Sequence, residues 1–166
     1  MNILYLHGLE SKLSLPKKEI LEKYGTVAAP DMDYFANPKM IEWLINEYQN
    51  KEIDVIIGSS MGGFAGYYVA MVLNCKALLF NPALARRSTF QEIPNRQIPK
   101  SGSNFQIVMG FEDTVVPMKE TLEFLKENAF KTTFYNLKLI PNLEHQIPID
   151  VFENQIDAFF DNGTSK

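Results

Sequence analysis

Three residues in this sequence have the type, order and spacing for nucleophilic chemistry. The first is Ser60, inside Gly58-Ser59-Ser60-Met61-Gly62, an instance of G-x-S-x-G. The run Ile53-Asp54-Val55-Ile56-Ile57 before it is rich in β-branched residues, as expected of a strand buried on both faces. The residues after it can continue as a helix. Strand, sharp turn and helix together make a nucleophile elbow, which lifts a serine hydroxyl clear of a sheet. Gly58 and Gly62 then stand where a Cβ would collide with the neighbouring strand or helix. Taken alone, the pentapeptide reads equally well as a glycine-rich turn that only lets helix and sheet pack closely.

The other two are Asp113, in Gly110-Phe111-Glu112-Asp113-Thr114, and His145, in Pro141-Asn142-Leu143-Glu144-His145. A serine hydroxyl is a poor nucleophile at neutral pH unless a base takes its proton during attack. An imidazole, with an unperturbed pKa of ~6.5, can accept that proton and return it to a leaving group. A carboxylate holds the imidazole in the right tautomer and stabilises its cation. Glu112 and Glu144 adjoin these positions as rivals for the acid role, and Glu112 is the more serious. An anionic tetrahedral intermediate also needs two preorganised N–H donors. Met61, after the serine, and Leu9, in His7-Gly8-Leu9, are the candidates, with Gly8 as the substitute for Leu9. His7 reads as a brace for that loop rather than as a second base.

The elements that must position these residues follow from local patterns. Strands are expected at 2–6, 27–29, 53–57, 77–80, 105–109 and 132–140. A helix is expected over 14–23, with Pro16 in its first turn and Gly25 just past its end. Asn37-Pro38 reads as the N-cap and first residue of the next, whose Ile41, Leu44, Ile45 and Tyr48 share one face. Further helices follow the serine and Pro117, and Asp150 with Glu153 resembles a capping box opening a last one. About six short strands alternating with about five helices mean a mainly parallel sheet with right-handed crossovers, a three-layer α/β/α sandwich. Chemistry in such a sheet gathers outside the carboxyl ends of the strands. Ser60, Asp113 and His145 all fall just after strands, in the chain order of the α/β-hydrolase triad.

Composition bounds the alternatives. The 166 residues read as one domain over 1–166, with 163–166 a frayed tail. The formal net charge of −4 and the lack of any Lys/Arg cluster argue against a nucleic-acid partner. The single cysteine, Cys75, cannot form an intrachain disulfide and reads as a packed, inert thiol. Neither a signal-peptide pattern nor a long apolar stretch is present, so the expectation is a cytoplasmic protein with no membrane partner. Two histidines without carboxylates at ligand spacing suggest no metal. His7-Gly8-Leu9-Glu10 is a poor phosphate loop, which argues against a flavodoxin-like module and leaves no cofactor indicated.

Tyr5-Leu6-His7-Gly8, Gly58-Ser59-Ser60-Met61-Gly62-Gly63, Asn81-Pro82-Ala83 and the Asp113 and His145 segments resemble the small YqiA-like esterases of the α/β-hydrolase superfamily. The likeness runs over nearly the whole chain except 83–103. It implies an α/β-hydrolase fold with a minimal lid and a hydrolase of small esters or thioesters, with Ser60, Asp113 and His145 as its triad. Thioesterase or acyltransferase chemistry would use the same parts, and a non-catalytic binding protein on the same fold is the reading from another class. The irregular segment 83–103, with Pro94, Pro99 and Gly102, is expected to hold a short helix or act as a lid. Short loops should wall a shallow pocket suited to short acyl groups. Tyr34, Phe64, Leu84 and Phe90 are candidate walls, each as readily core. Arg86-Arg87 reads as a solvated surface pair, with an acidic or phosphorylated substrate as the alternative.

Overall fold

A computed structural model describes residues 1–97, 103–128 and 133–161. Its elements are β1 (Asn2–Leu6), α1 (Leu15–Glu22), β2 (Thr26–Ala28), α2 (Met40–Tyr48), β3 (Val55–Ser59), α3 (Met61–Leu73), β4 (Lys76–Phe80), β5 (Asn104–Gly110), α4 (Met118–Asn128), β6 (Phe134–Ile140) and α5 (Ile149–Asp161). The six strands form one sheet in the order β2-β1-β3-β4-β5-β6, and every adjacent pair is parallel. This is the α/β-hydrolase arrangement expected from the alternation of strands and helices.

Strand alternation sends successive side chains to opposite faces, and each face has its own core. Leu4, Leu6, Ile56, Leu79, Ile107 and Met109 pack with Ile41, Leu44 and Ile45 of α2, with α3, and with Leu125 of α4. Ile3, Tyr5, Ile57, Leu78, Phe80 and Val108 pack on the other side against Ile20 and Leu21 of α1 and Phe152 and Ile156 of α5. The connection after β1 runs through α1 to β2, and the connection after β2 returns through α2 to β3 on the other side of β1. The strand order therefore reverses between β1 and β3. A crevice forms there outside the carboxyl ends of the two strands.

Three local expectations are corrected. The helix expected from Asn37-Pro38 begins at Met40. Asn37 Oδ1 accepts from the Lys39 N–H at 3.0 Å within a turn, and the Met40 N–H is met by Gln91 Oε1 at 3.3 Å. In α5, Asp150 lies inside the first turn, which Phe152 N–H closes onto Pro148 O at 2.9 Å. The segment 83–97 forms no helix. It crosses from β4 as irregular chain, and Gln91 Nε2 ties it down by donating to Tyr34 O at 2.8 Å and Asn37 O at 3.1 Å. Residues 98–102, the start of the expected strand at 132, and the tail 163–166 lie outside the described residues. Among the described residues no helix is long and apolar enough to cross a membrane. Cys75 is buried, and burial pushes its thiol up to about 12, so it stays protonated.

Candidate active site

Ser60 stands between β3 and α3 with φ 54° and ψ −116°, a backbone conformation that costs a non-glycine residue on the order of 1–3 kcal/mol. Both its peptide groups are held. Its N–H donates to Phe80 O at 3.0 Å, while its carbonyl accepts from Phe64 N–H at 2.9 Å and Ala83 N–H at 3.1 Å. The flanking glycines make room for this geometry. A Cβ on Gly62 would stand 2.0 Å from Leu6 O, and one on Gly58 would stand 2.4 Å from Gly62 O. The elbow turns this tightly because α3 starts directly against the backbone of β1 and β3.

His145, on the turn after β6, brings Nε2 to 3.0 Å from Ser60 Oγ. Its Nδ1 lies 2.8 Å from Asp113 Oδ2. Asp113 follows β5, and its side chain is wholly buried. Its Oδ1 accepts from the Val115 and Val116 N–H groups at 2.9 and 2.8 Å, which leaves Oδ2 to face the imidazole. Glu112 is exposed, and its N–H donates to Leu143 O at 3.0 Å. The three expected residues thus form one hydrogen-bonded line from carboxylate to imidazole to hydroxyl. An imidazole so held, with Nδ1–H toward the carboxylate, presents the Nε2 lone pair to the hydroxyl.

Met61, the first residue of α3, and Leu9, on the loop after β1, line the same cleft as Ser60 and His145. A helix's first N–H groups have no carbonyl within the helix to bond, so they are free to meet an anion. Gly8 also borders the cleft, close enough that a Cβ there would meet Ser60 Cβ at 3.3 Å. His7 is used up as a brace: its Nδ1 bonds Gly8 O at 2.7 Å and its Nε2 accepts from Met32 N–H at 3.0 Å.

None of the four candidate wall residues borders the cleft. Tyr34, Phe64 and Leu84 are core, and the Tyr34 hydroxyl donates to His7 O at 2.9 Å. Phe90 is 69% exposed and does not border the cleft. The cleft, about 550 Å³, is instead walled by Tyr5, Ala83, Val115, Val116 and Ile147, with Lys17, Arg86 and Arg87 at its edges. Asn81 is a positioning residue whose part the sequence did not disclose, although Asn81-Pro82 directly after a strand was a visible signal. It is 2% exposed; its Nδ2 donates to Glu144 O at 3.0 Å and His145 O at 3.2 Å, and its Oδ1 accepts from Gly110 N–H at 2.8 Å. One side chain thereby fastens the His145 turn to the end of β5. Asn81→Asp sets a carboxylate oxygen against two carbonyls and is expected to cost roughly 2 kcal/mol or more in denaturant unfolding, with a fall in turnover as His145 shifts.

Among the described residues no group of three His, Cys, Asp or Glu side chains is placed to hold a metal ion. The parallel sheet, with an elbow serine at its strand-order reversal, defines an α/β-hydrolase-fold protein. Many solved structures share this fold. A putative hydrolase of the α/β superfamily from Xanthomonas campestris pv. campestris matches with TM-score 0.67 and 14% identity, over 97% of this chain and 98% of that one. Est1E from Butyrivibrio proteoclasticus, with ferulic acid bound, matches with TM-score 0.70 and 17% identity, over 99% and 90%. The Bacillus cereus carboxylesterase matches with TM-score 0.66 and 19% identity, over 96% and 87%. No curated protein matches the chain in sequence. Residues 2–116 match the family described as "Uncharacterised protein family (UPF0227)", and the chain belongs to that family, the one of the YqiA-like proteins.

Proposed function

We propose that this protein is a serine hydrolase that cleaves small carboxyl esters through an acyl-enzyme on Ser60. The observation that carries the proposal is the unbroken line from Asp113 through His145 to Ser60 Oγ, opening into a cleft. In the first half-reaction Oγ attacks the ester carbonyl carbon as His145 Nε2 takes its proton. The resulting oxyanion is met by the Met61 and Leu9 N–H groups. Collapse breaks the bond to the alcohol oxygen, which leaves with the proton from His145. Water then attacks the acyl-enzyme, gives a proton to His145, and the acid departs as Ser60 recovers its hydrogen. The carboxylesterase from Bacillus cereus and the ferulic-acid-bound Est1E, which share the fold, support an ester as the substrate. The site so read needs no cofactor, and the lone buried Cys75 suits the cytoplasmic placement read from the sequence.

The test is labelling with a fluorophosphonate, followed by peptide mass spectrometry, on the wild type and His145→Ala. A serine is phosphonylated at an appreciable rate only when a base activates it. The expected result is one adduct, on Ser60, that is lost in His145→Ala. Folded wild-type protein that takes no adduct sinks the proposal and leaves the fold as a binding scaffold.

A further inference from the structure

The cleft beside Ser60 is cationic although the chain carries a formal net charge of −4. Among the described residues its walls include Lys12, Lys17, Arg86 and Arg87, and no Asp or Glu. Two of these cations are already matched at the outer rim. Lys12 Nζ lies 2.9 Å from Asp31 Oδ2, and Arg86 Nη2 lies 2.5 Å from Glu120 Oε1. These behave as the solvated surface charges that the sequence suggested for the arginine pair.

Lys17 and Arg87 differ. Both are half-buried, and neither meets a carboxylate among the described residues. Arg87 is held in place: its guanidinium lies 4.4 Å from the centre of the Phe64 ring, and Nη1 donates to Leu84 O at 3.0 Å. That anchoring leaves the rest of the guanidinium fork unspent, the part suited to two oxygens of one anion. The Lys17 ammonium sits 5.0 Å from the centre of the Phe152 ring, and burial lowers its pKa. Holding a cation partly out of water without a counter-charge costs free energy, which a bound anion offsets. The two also reach the site from opposite faces of the sheet. Lys17 rises from α1, whereas Arg87 lies over Phe64 of α3.

We propose that the ester taken by this site carries an anionic group, a carboxylate or a phosphate, held by Lys17 and Arg87 while Ser60 faces the carbonyl. The inference rests on the serine-hydrolase reading above. It gives the cleft a selectivity that the Ser60–His145–Asp113 line cannot supply, because that line acts only on the carbonyl.

The test compares paired esters of which one member is anionic and the other neutral. Umbelliferyl hemisuccinate is set against umbelliferyl valerate, and butyryl glycerol phosphate against butyryl glycerol, with kcat/KM as the readout. Wild type is expected to favour the anionic member of at least one pair by about tenfold or more, and the preference should shrink as ionic strength rises. The pair that shows it tells carboxylate from phosphate. In Lys17→Gln and Arg87→Gln the ratio of anionic to neutral turnover, measured on one preparation, is expected to fall toward one. Melting temperatures establish that each variant is folded, and the ratio cancels any loss of active protein. Equal turnover within both pairs, or a preference that survives in the double variant, overturns the inference and leaves the hydrolase reading standing. Hydrolysis of none of the four esters, with no fluorophosphonate adduct on Ser60, overturns both.

Discussion

Asp113→Asn is expected to lower ester turnover by about 10⁴ while the protein stays folded, measured as kcat on a short-chain ester beside a thermal melt. The size of the effect follows from how the two carboxylate oxygens are spent. Oδ1 accepts from two backbone N–H groups, at 2.9 and 2.8 Å, and Oδ2 accepts from His145. Asparagine has one oxygen, and the two N–H groups of Val115 and Val116 claim it. Its NH₂ then points at His145 Nδ1, so Nδ1 must become the acceptor and the ring proton moves to Nε2. That proton occupies the lone pair that Ser60 needs. Glu112→Gln, one residue away, changes an exposed side chain and is expected to turn over ester at the wild-type level. A reversal of these two results transfers the acid role to Glu112.

Gly62→Ala is expected to cost about 3 kcal/mol or more and to remove activity with it, read from a denaturant midpoint and from turnover. The added methyl meets the backbone at the end of β1: Leu6 O at 2.0 Å, Leu6 C at 2.4 Å and His7 O at 2.5 Å. None of these can swing aside as a side chain can, so α3 must lift off β1 and carry Ser60 and Met61 away from His145. Gly66, one turn further along the same helix, is the control. A Cβ there meets only side-chain methyls, Ile56 Cγ2 at 3.1 Å and Leu79 Cδ2 at 3.2 Å, and alanine favours a helix over glycine by up to ~1 kcal/mol. Gly66→Ala is therefore expected to fall near neutral. Equal losses at both positions dismiss the backbone collision as the cause.

What was legible in the sequence was what local sterics and chain order decide. The turn at Ser60 announces itself because only glycine fits at Gly58 and Gly62, and the positions of Asp113 and His145 follow from the rule that chemistry gathers after strands. What was not legible depended on partners far away in the chain. Asn37-Pro38 has the pattern of a helix start, yet α2 begins later because Gln91, more than fifty residues on, takes up the Met40 N–H and the Asn37 carbonyl. Tyr34, Phe64 and Leu84 have the composition of pocket walls, but apolar type alone does not tell a wall from the core. Asn81 stands in the sequence only as part of the Asn81-Pro82-Ala83 resemblance, and its contacts emerge where the ends of β4 and β5 and the His145 turn meet. Lys17 carried no local signal at all. It reaches the cleft from the first turn of α1, which lies on the sheet face opposite α3.

The burial of α3 divides the site into parts of unequal permanence. From Met61 to Met71 that helix is buried nearly all round, and the Ser60 N–H is bonded to Phe80 O at the end of β4, so in native-state hydrogen exchange the serine's amide is expected among the slowest. Asp113 and His145 stand on turns outside the helices and strands, tied by Asn81 and by the Val115 and Val116 N–H bonds. On the serine-hydrolase reading, openings short of unfolding are expected to part His145 and Asp113 from a serine that stays in place. On that reading the site's idle states are expected to be states of these turns, and turnover is expected to stop while they are open.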